Sequence, residues 1–153
     1  MTLAKTGLEL VREQIQETPS EEVKKQAKAV EDLRFLCTKL RYALLVNVKY
    51  HALYDSMNQK HADFFVVHHD MANSKATFPS HDIDFSNNKL YIAIVAYNNN
   101  QVQDVFVFKV KEFEKSGLFS MFKKSQGMCS VNMSKMSKLG QYSFGNVIQE
   151  IVG

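Results

Sequence analysis

All five histidines of this 153-residue chain fall between residues 51 and 81: His51, His61, His68, His69 and His81. Five of its aspartates, Asp55, Asp63, Asp70, Asp82 and Asp84, share nearly the same window. Imidazole and carboxylate are the side chains that hold metal ions in hydrolytic and nuclease sites, where the ion acidifies a water or clamps a phosphate. Alternation along an extended segment puts His68 and Asp70 on one face and Asp63 and His69 on the other. Asp63, Asp70 and His68 are the candidate metal ligands, and His81-Asp82-Ile83-Asp84 presents Asp82 and Asp84 together. The spacing matches no metalloprotease, zinc-finger or EF-hand template. The same residues also read as a strand running into a polar loop whose Asn, Asp and Ser make turns.

Other chemistry is thinly represented. GxSxG, the phosphate-binding P-loop and GxGxxG are all absent. Cys37 and Cys129 have apolar neighbours and no CxxC partner, which predicts buried, reduced thiols rather than a disulfide. Charge is uneven. Residues 1–108 carry 12 Lys/Arg against 13 Asp/Glu, and residues 109–153 carry 7 Lys against 3 Glu, so −1 and +4 make up the net +3. Lys115, Lys123, Lys124, Lys135 and Lys138 form an acid-free stretch interleaved with Phe119, Phe122, Tyr142 and Phe144. That combination suits the phosphates and bases of DNA or RNA. It equally suits a solvated lysine face. Met121, Met128, Met133 and Met136 in the same stretch fit an adaptable protein-binding surface or loosely patterned core.

The elements that position these residues read as one domain, 1–153, with 45% hydrophobic and 23% charged residues. Leu8, Val11 and Ile15 predict a helix over 3–17. Thr18-Pro19-Ser20-Glu21 predicts a second start, with Thr18 at the N-cap, Pro19 at N1 and Glu21 at N3. That helix runs to about Lys39 along a stripe of Val23, Ala27, Val30, Leu33, Cys37 and Leu40. The period then changes to two. Tyr42–Tyr50, Asp63–His69, Ala76–Phe78, Leu90–Tyr97 and Asp104–Lys111 predict strands, with Met128–Met133 an edge strand. Leu90–Tyr97 is apolar on both faces and belongs inside a sheet, turning at Asn98-Asn99-Asn100 into its hairpin partner. Phe144–Val152 predicts a short closing helix. The fold class is α+β: an N-terminal helical pair packed on a mixed, mainly antiparallel sheet of four to six strands, with a short C-terminal helix. No apolar run is long enough to span a bilayer and no signal peptide is evident, so a soluble, cytoplasmic protein without membrane contact is expected.

The segment Leu44-Leu45-Val46-Asn47-Val48-Lys49-Tyr50 resembles the metal-binding strand of restriction-endonuclease-like nucleases, in which an acid or Gln, one apolar residue and a Lys follow an apolar run. The strands over 90–97 and 104–111 follow in a similar order, and the helix bearing Glu9 and Glu13 resembles the family's first core helix. The resemblance implies that Lys49 steadies the attacking water or phosphate, with Asn47 at the acid position. The rest of the site is then either degenerate or rebuilt from Glu9, Glu13 or Asp63, with Glu13 and Asp63 completing the catalytic set and Mg2+ or Mn2+ as the cofactor. The resemblance makes the chain a nucleic-acid-binding or nucleic-acid-processing domain, catalytically active or degenerate. The alternative is a small non-enzymatic protein-interaction module: an immunity protein, an inhibitor or an accessory subunit.

Overall fold

A computed structural model describes residues 20–47, 49–114 and 122–153. The expected first helix and its Glu9 and Glu13 lie outside the described residues, as do Thr18 and Pro19. Helix α1 spans Glu21–Lys39, and its N-cap is Ser20, whose Oγ accepts the Val23 N–H at 3.2 Å. Glu21 and Glu22 occupy the positive end of the helix and Lys39 the negative end. At the far end Arg41 turns left-handed (φ 69°), and the Leu40, Arg41 and Tyr42 N–H groups close onto the Cys37 and Thr38 carbonyls. The buried stripe is Ala29, Val30, Leu33 and Cys37. Val23, Ala27 and Leu40, expected on it, are exposed: apolar burial against the sheet begins at Ala29, and Leu40 is the C-cap, beyond the last helical residue.

The expected single strand over 42–50 is a reversal between two strands. Strand β1 (Ala43–Asn47) and β2 (Tyr50–Tyr54) pair antiparallel, with Asn47 opposite Tyr50 and Lys49 in the turn between them. β3 (Lys60–Asp70) pairs antiparallel with β2 and parallel with β5 (Leu90–Asn98). β5 pairs antiparallel with β6 (Gln101–Lys109) across a reversal in which Asn99 (φ 53°) and Asn100 (φ 64°) are both left-handed, a conformation that Asn tolerates well. The order of this mixed sheet is β1-β2-β3-β5-β6. A second sheet, β4-β8-β7, joins β4 (Lys75–Pro79), β8 (Met128–Asn132) and β7 (Phe122–Ser125). The segment expected to be an edge strand is therefore the centre of this sheet. β7 reverses into β8 through Gly127, whose φ of +77° a side chain would strain. A single-turn helix α2 (Met133–Met136) follows, and α3 (Phe144–Val152) closes the chain.

The layers follow from alternation. On one face of the large sheet Leu44, Leu53, Phe64, Val66, Tyr91, Ala93 and Val95 pack against α1 and against Phe144, Val147 and Ile148 of α3. On the other face Val67, Leu90, Ile92, Ile94, Phe106 and Phe108 pack against Ala76, Phe78, Cys129, Val131, Met133 and Met136. Cys37 and Cys129 sit in these two separate cores, fully buried and free. Burial pushes their thiols up, to about 12 and about 11, far from reactive thiolates. Among the described residues no helix is long and apolar enough to cross a membrane.

Candidate functional site

β3 has eleven residues and β2 only five. The β2 ladder reaches Phe64 and stops, whereas β5 accompanies β3 from Asp63 to Asp70. From Phe65 onward, β3 therefore has one strand neighbour among the described residues. Main-chain groups point alternately to the two edges of a strand. The Asp63 N–H donates to the Lys89 carbonyl and the Met71 N–H to the Tyr97 carbonyl, so odd-numbered residues face β5. Val66 and His68 consequently turn their N–H and C=O groups to the open edge. The Val66 carbonyl is met there by Gln26 Nε2 of α1 at 2.7 Å, a side chain standing in for a ladder partner.

This edge lies at the floor of two confluent grooves. One, of about 470 Å³, runs between α1 and β4 along Val66–Asp70, with Lys25 on the helix wall and Lys75 on the β4 wall. The other, of about 700 Å³, continues past the N-terminal turns of α1 to the Asn98–Asn100 turn. His68 lies in both, its ring stacked on Tyr97 with centroids 4.2 Å apart and planes 14° from parallel. The Tyr97 hydroxyl donates to Asp32 Oδ2 at 2.5 Å, and burial together with that carboxylate pushes the phenol well up. Lys28 Nζ is 5.0 Å from the same ring and 3.5 Å from Asp32. Partial burial, then the Lys25 ammonium, lowers the His68 pKa, with Asp70 opposing, so a neutral imidazole stands beside the open edge. The floor is fixed by packing and the rim is polar, an arrangement suited to recognition.

The described residues expected to do chemistry are placed as follows. Lys49 is exposed in the β1–β2 turn, and its ammonium contributes to lowering the Asp84 carboxyl in the loop below. Asn47, half-buried, ends β1. Asp63 is 7% exposed, with Oδ2 3.0 Å from Lys60 Nζ and Oδ1 without a hydrogen bond. Glu13 lies outside the described residues. Asp63 faces the second sheet while His68 faces α1, so these two and Asp70 cannot surround one ion. Asp70 Oδ1 instead accepts the Ala72 N–H in the turn leaving β3. His61 pairs with Asp55 at 2.8 Å, and His81, three-quarters exposed, lies 3.4 Å from Asp82. Among the described residues no three His, Cys, Asp or Glu side chains converge on a metal position.

The basic stretch is described only in part. Lys124 lies over the Phe85 ring at 4.0 Å, and Lys135 and Lys138 are exposed on and after α2. Lys115 and the Lys123 side chain are outside the described set. Tyr142 and Phe144 are core residues and offer no stacking platform. Met133 and Met136 are core as well, while Met128 is partly exposed. The open edge itself has no signal in the sequence, where the segments that read as strands are Tyr42–Tyr50 and Asp63–His69. Comparison with protein-family models, with curated proteins and with solved structures finds no match for this chain.

Proposed function

We propose that this chain is a small, non-enzymatic protein-interaction module that takes an extended segment of a partner protein as an added strand along Val66–Asp70. The observation that carries the reading is the half-open β3: among the described residues no strand pairs with its β2-side edge beyond Phe64, and the Val66 and His68 N–H groups turn into a groove walled by α1 and β4, with the Val66 carbonyl held by Gln26. An added strand gains affinity from main-chain hydrogen bonds and selectivity from the pockets that receive its alternate side chains. That no three His, Cys, Asp or Glu side chains converge among the described residues favours this over a Mg2+- or Mn2+-dependent nuclease. Two buried free thiols suit a reducing, cytoplasmic setting.

The test selects extended peptides from a random library against the full chain and follows amide exchange on binding. A selected peptide should slow exchange of the Val66 and His68 amides. His68→Pro, which deletes one N–H from the open edge, should weaken binding at least about tenfold. Protection confined to another surface overturns the proposal. So does metal-dependent nicking of DNA or RNA that disappears in Lys49→Ala, or duplex binding that falls steeply with salt through Lys124, Lys135 and Lys138.

A further inference from the structure

On the opposite face of β3 from His68, an apolar pocket of about 350 Å³ opens where the parallel strands β3 and β5 end. Its walls are Met71, Ala96, Phe106 and Met133, and the Met133 N–H closes one side by donating to the Ser74 carbonyl at 3.0 Å. His69 lines this pocket and is only 4% exposed. No hydrogen bond reaches its ring from the described residues. Of the three serines that line the pocket, two have committed hydroxyls: Ser134 Oγ donates to Asn132 Oδ1 at 2.7 Å and Ser137 Oγ to the Ser134 carbonyl at 3.4 Å, while Ser74 and Asn73 complete the polar part of the rim. The ring nitrogens are not sealed off from the pocket, so a guest that enters it can supply the hydrogen bond that the described residues do not.

We infer that this pocket binds a small, neutral hydroxy-aromatic molecule, its ring between Met71, Met133 and Phe106 and its hydroxyl on the His69 imidazole. Three features select that chemistry. The volume is at the low end for ligand sites, enough for one or two rings. Thioethers and a phenyl edge favour an aromatic guest over an aliphatic one. A neutral imidazole offers one donor and one acceptor nitrogen, and a hydroxyl can answer either, so the match holds for both tautomers. Partial burial lowers the His69 pKa, although the neighbouring Asp70 opposes it, which keeps the ring uncharged at neutral pH. The pocket adjoins the strand-binding groove, because His69 and Asn73 line both, but its apolar walls Ala96, Phe106 and Met133 belong to it alone.

The experiment titrates the full chain with 4-methylphenol and, in parallel, with toluene, following the His69 ring nitrogens by NMR and affinity by calorimetry. The phenol should shift the His69 nitrogens and bind about tenfold more tightly than toluene. His69→Leu should bring the two affinities together. Ala72→Leu, at an exposed position on the rim, should weaken both about tenfold. Equal affinities in the unaltered chain, or His69 nitrogens that stay fixed at saturating phenol, overturn the inference. The second readout needs no variant and decides the matter even where His69→Leu fails to fold.

Discussion

The two halves of β3 differ in one respect with large consequences. Over Lys60–Phe64 the strand is hydrogen-bonded to β2, with β5 joining on the other side at Asp63, and Phe64 is completely buried. Over Phe65–Asp70 it keeps β5 alone among the described strands, and every second main-chain unit faces a groove. On the face toward α1 both halves bury apolar side chains, Ala62 and Phe64 in one and Val66 in the other, so burial there does not distinguish them. Main-chain pairing does, and pairing is fixed by how long the neighbouring strand is. Unprotected strand edges are ordinarily blunted by charge, bulges or cover. Here the cover is partial: Gln26 satisfies one carbonyl, and Lys25 and Lys75 line the walls.

The contrast can be broken in three ways. Phe64→Ala, in the closed half, should cost about 3–5 kcal/mol, while Phe65→Ala, half-buried in the open half, should cost visibly less. Urea denaturation measures both, and equal losses would mean that the halves are packed alike. Proline placement is the sharper probe. Val67→Pro removes an N–H committed to β5 and should destabilise by about 3 kcal/mol, whereas His68→Pro removes one that faces the groove and should cost clearly less. A His68→Pro loss as large as the Val67→Pro loss would show that the edge is already engaged.

The smallest effect is in pH. His51, His68 and His69 all have pKa values lowered from 6.5, burial being the leading cause in each. The folded chain therefore binds fewer protons than the unfolded chain just below 6.5. Stability should be complete above that pH and decline as pH falls through it toward the depressed values. His69→Leu and His68→Gln should each flatten the decline in the urea midpoint, measured from about pH 7.5 to about pH 5.5. Asp55 and Asp84 are lowered from 3.8, so their contributions are lost only at more acidic pH and do not confuse the window.

Much of the architecture was legible in local pattern. Leu90–Tyr97 reads as an interior strand because neither face is polar, and the Asn triplet announces the reversal that Asn99 and Asn100 make. The helix ending at Lys39, the closing helix and the opposite orientation of His68 and His69 follow from periods of 3.6 and 2. The β1–β2 reversal was not legible, because Tyr42–Tyr54 is rich in β-formers throughout and no Gly, Pro or Asn-Gly marks Lys49 as a turn residue. Ser20 takes the cap that Thr18 was expected to hold, since both hydroxyls satisfy the same local rule. The second sheet joins residues 75–79 to 122–132, a pairing with no local signature. The candidate site was hidden for the same reason: an open edge is a difference between two strand lengths, and the Gln26–Val66 contact spans forty residues.

The parallel register of β3 on β5 also bears on how the chain reaches its native state. That pairing cannot be made by a tight turn; it closes a loop through residues 71–89, part of which belongs to the other layer. The β5–β6 hairpin closes over two asparagines and needs no such excursion. Loop closure must be met before a distant contact gives anything back, so the hairpin should assemble early and the docking of β3 should limit the refolding rate.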